Sequence, residues 1–528
     1  MAESPDIDGV GLEELKSLLV QVLEDNAGLK AEVAELRDEN ARLKGLKGRP
    51  DIKPNKPSGM QAACEPAAKT PRKKGRRGSK RAKLTIDETK VLAPPNVAAG
   101  ARFKGYEDFV VQDLVIETQT TLYRRERWQL ATGETGVAPL PAGITSHFGP
   151  GLERFVLAQY HQGQTTMPRL AALPQGLGLD ISKRQLARLR IDGQQAFLAE
   201  ARDVLRTGLQ VASWITVDDT GARHKARNGV CTQIGNDAFS AFVTTQSKSR
   251  LNFLDVLNAG DTTHLVNEAA TAYMRGHDLP HAMIARLAAQ PQRRLADRAA
   301  WTAHLDQLGI APLAGHHDPV RIATEGALWG NLVDQGLIDG TVIVSDGAGQ
   351  FDVGEHALCW VHAERLVHKL DAFTEERRVA KEAIRALIWQ LYADLKAYAL
   401  APTTAAKAEL SERFDTIFAT TTCFALLNRQ LKRLHAKKAK LLAVLDRPDV
   451  PLHPNGSEND IRSHVTRRKV SGGTRSDLGR DCRDAFLGLM KTCAKQGVRF
   501  WDYLGCRLGV PGAQVVAGLP ALIRAIPP

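Results

Sequence analysis

Val211-Ala-Ser-Trp-Ile-Thr-Val217 runs directly into Asp218, and Gly340-Thr-Val-Ile-Val-Ser345 runs directly into Asp346. Short apolar runs rich in β-branched residues, closed by Asp and Gly, read as strands that end in turns. Two more such runs, 229–234 and 238–245, follow the first. Three strands in succession over 206–255, then helical sequence, then a further strand at 341–345, predict an α/β layer with a mixed sheet. Both aspartates are expected at strand ends. A third acid, Glu458, lies in Asn455-Gly-Ser-Glu-Asn-Asp-Ile-Arg462, at the predicted start of a helix.

Taken singly, each acid has a structural reading: Asp-Gly favours turns, and Glu458 suits a capping turn. Taken together, two strand-end aspartates and a helical glutamate offer hard oxygen ligands to a pair of divalent cations, Mg²⁺ (or Mn²⁺). That constellation suits in-line phosphoryl transfer on nucleic acid.

The chain has 528 residues, too many for one core, and 43% hydrophobic content, ample for packed domains. Its formal charge is +12 with a pI near 9.3. The excess is local. Lys69, Arg72, Lys73, Lys74, Arg76, Arg77, Lys80, Arg81 and Lys83 form a cluster without an acid, and the rest of the chain carries only +3. Such a tail binds polyanions or serves as a solvated linker. Seven scattered cysteines without a CxxC pair point to a reducing cytosol. Neither a signal peptide nor a membrane span is expected.

Residues 12–44 form a heptad array, with Leu12, Leu19, Asn26, Val33 and Asn40 at a, and Leu15, Val22, Leu29, Leu36 and Leu43 at d. Buried Asn at a favours a parallel, in-register dimer. Asp25, Glu32 and Glu39 at g would face Lys30, Arg37 and Lys44 at e. The coiled coil is placed at 1–46, and a basic Pro/Gly-rich linker at 47–100. Partial alternation over 109–118 suggests a small hairpin region within 101–131. Helices are predicted over 151–160, from Met167 after Thr165 or Thr166, and over 183–190 after Ser182. With the turn Gly176-Leu-Gly-Leu they fit a helix-turn-helix in a DNA-binding region at 101–205. Lys183, Arg184 and Arg188 would then face DNA. Residues 356–450 read as almost wholly helical. On 425–440 the basic residues 429, 432, 433, 437 and 440 gather on one side. The tail, 509–528, reads as docked.

Val217-Asp-Asp-Thr-Gly-Ala-Arg223, Val344-Ser-Asp-Gly-Ala-Gly349, Cys359-Trp-Val-His-Ala-Glu-Arg365 and Asn455–Arg462, followed by Arg468-Lys469 and Gly472-Gly473, occur in that order. As a set they resemble the insertion-sequence-66 family of DDE transposases, and the resemblance spans most of 150–508. It implies a ribonuclease-H-like catalytic core at 206–508 with helical insertions, one of them between the second and third acids. It implies an enzyme that cleaves and transfers DNA strands at the ends of an insertion sequence. The catalytic and metal-binding roles fall on Asp218, Asp346 and Glu458, with Asp219 in a variable second acidic place.

Cys359 and His362 match a Cys-x-x-His signature. Two ligands fall short of the roughly four a zinc site needs, so the pair reads as a structural or DNA-handling turn. Arg462, Arg468 and Lys469 match basic positions after the Glu, where they would grip phosphates. The implied partners are DNA, as transposon ends and target, and a second copy of the chain, with room for helper proteins of the same element. The implied location is the bacterial cytoplasm, at the nucleoid. The sequence departs from the family in lacking a CxxC module before the helix-turn-helix. It also departs in the 128-residue gap between the aspartates, which makes 258–335 an extra helical insertion. The alternative reading is a decayed or domesticated transposase acting as a DNA-binding regulator; the intact acidic trio favours the enzyme.

Overall fold

Five strands make the central sheet, in the spatial order Ser240–Thr245, Arg227–Gly235, Trp214–His224, Val342–Ser345, Glu355–Leu358. The computed structural model describes residues 86–93, 101–141, 146–315 and 317–526. The predicted coiled-coil segment and nearly all of the predicted basic linker lie outside them. Contacts divide the chain between Asp87 and Glu88, and every element below belongs to the second unit. Strands β1 (Arg127–Gln129) and β2 (Thr135–Val137) form an exposed hairpin. The alternating stretch at 109–118 holds no strand, which corrects that expectation. Val111, Leu114 and Val115 are all exposed there, so the alternation has no packing surface to reward it.

Helices α1 (Pro150–Leu157, continued by a π turn to Gln162), α2 (Met167–Gly176) and α3 (Lys183–Ile191) share a small core of Val156, Leu170, Ala171, Ile181 and Leu186. Ser182 caps its helix, as the sequence predicts, and closes a full capping box with Gln185, while Thr166 occupies its N-cap position without a side-chain bond. Helix α4 (Gln195–Val211) leads into the sheet.

Strands β3 (Trp214–His224), β4 (Arg227–Gly235) and β5 (Ser240–Thr245) form an antiparallel meander. Helix α5 (Arg250–Leu257) opens the long return to the sheet. Within it, β6 (His264–Leu265), α6 (Glu268–Gly276), α7 (His281–Ala288), β7 (Arg294–Leu295) and α8 (Arg298–Gln307) pack around Met274, Ile284, Leu287, Trp301 and Leu305. This is the predicted helical insertion, and it has its own core. Helix α9 (Pro319–Asp334) joins it to the sheet: Ile322, Ala323 and Ala327 face the insertion, while Leu328 and Leu332 enter the main core.

Strand β8 (Val342–Ser345) then runs parallel to β3, and β9 (Glu355–Leu358), a strand not foreseen, runs parallel to β8. Helices α10 (Trp360–His368), α11 (Glu375–Leu400), α12 (Thr404–Ala419), α13 (Ala425–His435) and the short α14 (Lys438–Leu441) follow. Phe414 stacks on Phe418 among them, and Trp360 meets Phe414 edge-on. The chain returns as α15 (Asn455–Ser471), α16 (Asp477–Lys495), α17 (Phe500–Arg507) and α18 (Leu519–Arg524). Leu519 and Ile523 of the tail are buried in the main core.

Alternation along β3 gives the sheet two unlike faces. Ile215 and Val217 face a core with Leu205 and Leu209 of α4, Phe253 and Leu254 of α5, and Phe239. Gly208 is required there, since a Cβ would lie 2.5 Å from the Phe239 ring. The opposite face carries Thr216 and Asp218 and lies under α15. Helix α16 covers the edge strand β5. Asp484 accepts from the Thr244 amide (2.8 Å) and Thr492 from the Ser240 amide (3.1 Å), so the edge presents no free donors at those positions.

Candidate active site

Asp218 is the fifth residue of an eleven-residue strand, which corrects its predicted place at a strand end. The polar stretch 218–224 stays extended because β4 pairs with β3 from Thr216 to His224, whereas β8 pairs only with 214–216. Asp218 therefore lies just past the point where β8 leaves β3. Asp346 follows the last residue of β8 directly. Both acids stand at the carboxyl end of the parallel pair.

The turn after β8 is locally fixed. Asp346 accepts from the Ala348 amide (2.9 Å), and Gly347 takes a positive φ of 89°. The Ser345 hydroxyl accepts from the Gly347 amide (3.2 Å) and hydrogen-bonds His356 Nε2 (2.8 Å). Burial drives His356 down to about 4, so its ring is uncharged at neutral pH.

Glu458 lies in the first turn of α15, as the sequence predicts. Beside it, the buried Ser457 hydroxyl meets the Thr216 hydroxyl, which also donates to the Gly235 carbonyl (3.1 Å). This contact seats the first turn of α15 on β3, two residues before Asp218 on the same face. Arg462 approaches Glu458 at 3.7 Å.

Burial raises Asp218 to about 6. The Asp219 amide, donating at 2.7 Å, works against the shift, and the negative charges of Asp346, Asp219 and Glu458 add to it. The structure thus gathers the three sequence-predicted acids around one corner. Asp219 is one residue on and points to the other face. There its carboxylate accepts from Gln350 (2.8 Å) and pairs with Lys248.

Cys359 is buried at the N-cap of α10, and its amide donates to Ser345 O (2.8 Å), anchoring the helix beneath Asp346. Burial pushes its thiol up to about 12, which leaves it protonated and inert. Burial first, then Arg365, lowers His362, against the opposing pull of Asp346 and Glu458. The Cys-x-x-His signature therefore borders the acidic corner.

The predicted basic residues divide. Lys469 and Arg462 are exposed on α15, and Arg468 donates to the Gly221 carbonyl on β3. Arg467, which the sequence reading passed over, is buried, donates to Tyr160 O (2.6 Å) and lies 3.5 Å over the Tyr160 ring. It ties α15 to the α1–α3 region. Lys183, Arg184 and Arg188 are exposed on α3, away from its buried Leu186. On the basic side of 425–440, Lys440 is paired with Asp352 (2.6 Å). Lys437 brings its ammonium to 3.9 Å from the place a Cβ on Gly347 would take, next to Asp346. Arg72, Lys73, Lys74, Arg76, Arg77, Lys80 and Arg81 lie outside the described residues.

A mixed five-stranded sheet with three acids at the end of its parallel pair defines an α/β protein with an acidic corner under a late helix. The family described as "Transposase IS66 family" matches residues 332–481, which include Asp346, Cys359, His362 and Glu458. "Uncharacterized protein y4jO" of Sinorhizobium fredii (strain NBRC 101917 / NGR234) is 47% identical over 322 residues, which cover 61% of this chain and 99% of that protein. The chain belongs to the IS66 transposase family. Among the described residues no helix is long and apolar enough to cross a membrane.

Proposed function

We propose that this protein is a DDE-type transposase, cleaving DNA at the ends of an insertion sequence and joining the freed strands to a target. The observation that carries this reading is the meeting of Asp218, Asp346 and Glu458 where β8 leaves β3. The sheet supports it: three antiparallel strands followed by two parallel ones suit a ribonuclease-H-like core, and α10–α14 fill the interval between the second and third acids.

The donor set fits Mg²⁺ (or Mn²⁺), because it offers carboxylate oxygens alone, and such ions keep several waters. The crowding of like charges around Asp218 is what a bound cation would relieve. When bound, a pair of such ions supplies an activated water or 3′-hydroxyl and a stabilised leaving oxygen. The chain's own residues hold this chemistry in place. Paired strands fix Asp218, the Asx turn fixes Asp346, and the Ser457–Thr216 contact fixes the turn that bears Glu458.

Lys437, Arg462, Arg468 and Lys469 surround the corner with positive charge for backbone phosphates. Exposed Lys183, Arg184 and Arg188 on α3 would read DNA sequence, the 69–83 cluster would add sequence-independent affinity, and the 1–46 segment would pair two copies.

The test is to incubate the full-length protein with duplex DNA carrying the ends of its element. Mg²⁺-dependent cleavage at those ends and joining to a second duplex are expected, lost with EDTA and restored by Mg²⁺ or Mn²⁺. End-specific binding without metal-dependent cleavage would identify a regulator instead.

A further inference from the structure

Cys231 on β4 lies far along the chain from His464 on α15 and Asp484 on α16, and the three meet between the sheet and its covering helices. One ligand atom from each lies within 4.8 Å of the other two. All three residues are sealed from solvent, at 0%, 1% and 4% exposure. Neither ring nitrogen of His464 has a hydrogen-bond partner, and neither does Oδ1 of Asp484. Asp484 Oδ2 is already used by the Thr244 amide (2.8 Å). Buried polar atoms without partners cost free energy, and native folds rarely leave several together.

We propose that Cys231, His464 and Asp484 form a buried site for one zinc-class divalent cation. A thiolate, an imidazole nitrogen and a carboxylate oxygen are a ligand set for a borderline-soft ion with tetrahedral preference, with water completing four. Mg²⁺, which takes oxygen ligands, is poorly suited to this set. Binding forms the metal–sulfur bond as the Cys231 thiol gives its proton to solvent. The thiolate and carboxylate then balance the two positive charges of the ion. Arg483, with Nε 3.8 Å from Asp484 Oδ1, places a positive charge behind the carboxylate.

The site lies on the same sheet face as the acidic corner but is separate from it. Across the β3–β4 ladder Asp218 pairs with Gln233 and Thr220 with Cys231. Along α15, His464 follows Glu458 by six residues, a rise of roughly 9 Å. A cation here would pin β4 to α15 and α16 and so steady the helix that carries Glu458.

The test uses the full-length protein, stripped with chelator and titrated with Co²⁺ and Zn²⁺ in excess Mg²⁺, which occupies carboxylate-only sites. One equivalent of Co²⁺ should give a thiolate-to-cobalt charge-transfer band that Zn²⁺ abolishes. The band should vanish in Cys231→Ser and weaken severely in His464→Gln, with far-ultraviolet circular dichroism unchanged, and persist in Cys359→Ser. No band in the wild-type protein would overturn the site whether or not the variants fold. So would a band that survives Cys231→Ser or is lost in Cys359→Ser. These readouts do not involve DNA cleavage, so the site and the transposase reading fail separately.

Discussion

The two faces of β3 alternate residue by residue and bear opposite loads. Ile215 and Val217 point into a closed apolar core with residues of α4, α5 and α9. Thr216 and Asp218 point to the face under α15 and α16, where buried Gln233, Ser240, His464, Arg467, Arg483 and Asp484 crowd together. The apolar face fixes the sheet's shape through burial, which is non-directional. The polar face holds charged groups close in a poorly solvated setting, where charges interact strongly and cost stability. One strand thus separates the residues that make the fold from the acid proposed to serve the reaction.

That separation breaks most visibly at Asp218. Asp218→Asn should lower metal-dependent cleavage by at least about 10³-fold, the upper range for losing one preorganised transition-state group. It should melt no lower than wild type in metal-free buffer, because a pKa raised to about 6 means that ionising Asp218 at neutral pH costs the folded state stability relative to the unfolded chain. Parallel cleavage assays and thermal melts check both halves, and a large loss of stability would refute the division of labour. Leu209→Ala is the mirror experiment on the other face. Leu209 is fully buried against the apolar side, and truncation should cost about 2–5 kcal/mol by denaturant titration. At temperatures where the variant stays folded, its cleavage rate should remain near wild type.

The sequence announces this contrast unevenly. Ile-Thr-Val and Val-Ile-Val show the sheet, and the Asp-Gly and Asp-Asp-Thr-Gly contexts show the two aspartates, because strand interiors and turns have strong local preferences. The continuation of β3 through Asp218 to His224 is hidden, since its residues are polar and only pairing with β4 keeps them extended. Strand β9, Glu355-His-Ala-Leu358, is too short to outweigh the helical sequence after it. The Ser457–Thr216 contact and the Cys231, His464 and Asp484 cluster join β3 and β4 to helices more than two hundred residues further along the chain. No local spacing records them; only the closing of α15 and α16 over the sheet does.

Ser457→Ala sharpens the comparison from the polar side without touching a charge. The loss of one buried hydroxyl contact should cost about 0.5–1.5 kcal/mol. Its larger effect should be on cleavage, down about 10–100-fold, as for groups that orient a metal's ligands. End binding in gel shifts should be unchanged, since the surfaces proposed to contact DNA are intact. A variant with normal cleavage would show that the contact does not set the position of Glu458.

The smallest effect, and the finest test, is expected at Asp219. It sits next to Asp218 in the chain yet on the other side of the strand, with Gln350 and Lys248 as partners. Asp219→Asn keeps the shape and an oxygen for the Gln350 amide, and removes only the charge that Lys248 answers. Lys248 is about half exposed, so the ion pair contributes no more than about 1 kcal/mol. The backbone amide of residue 219, which donates to Asp218, is untouched by the change. Cleavage should therefore stay within about tenfold of wild type, the span that about 1.4 kcal/mol allows. If Asp219→Asn instead falls as far as Asp218→Asn under saturating Mg²⁺, both acids serve the reaction, and the face of β3 on which a side chain lies does not decide its role.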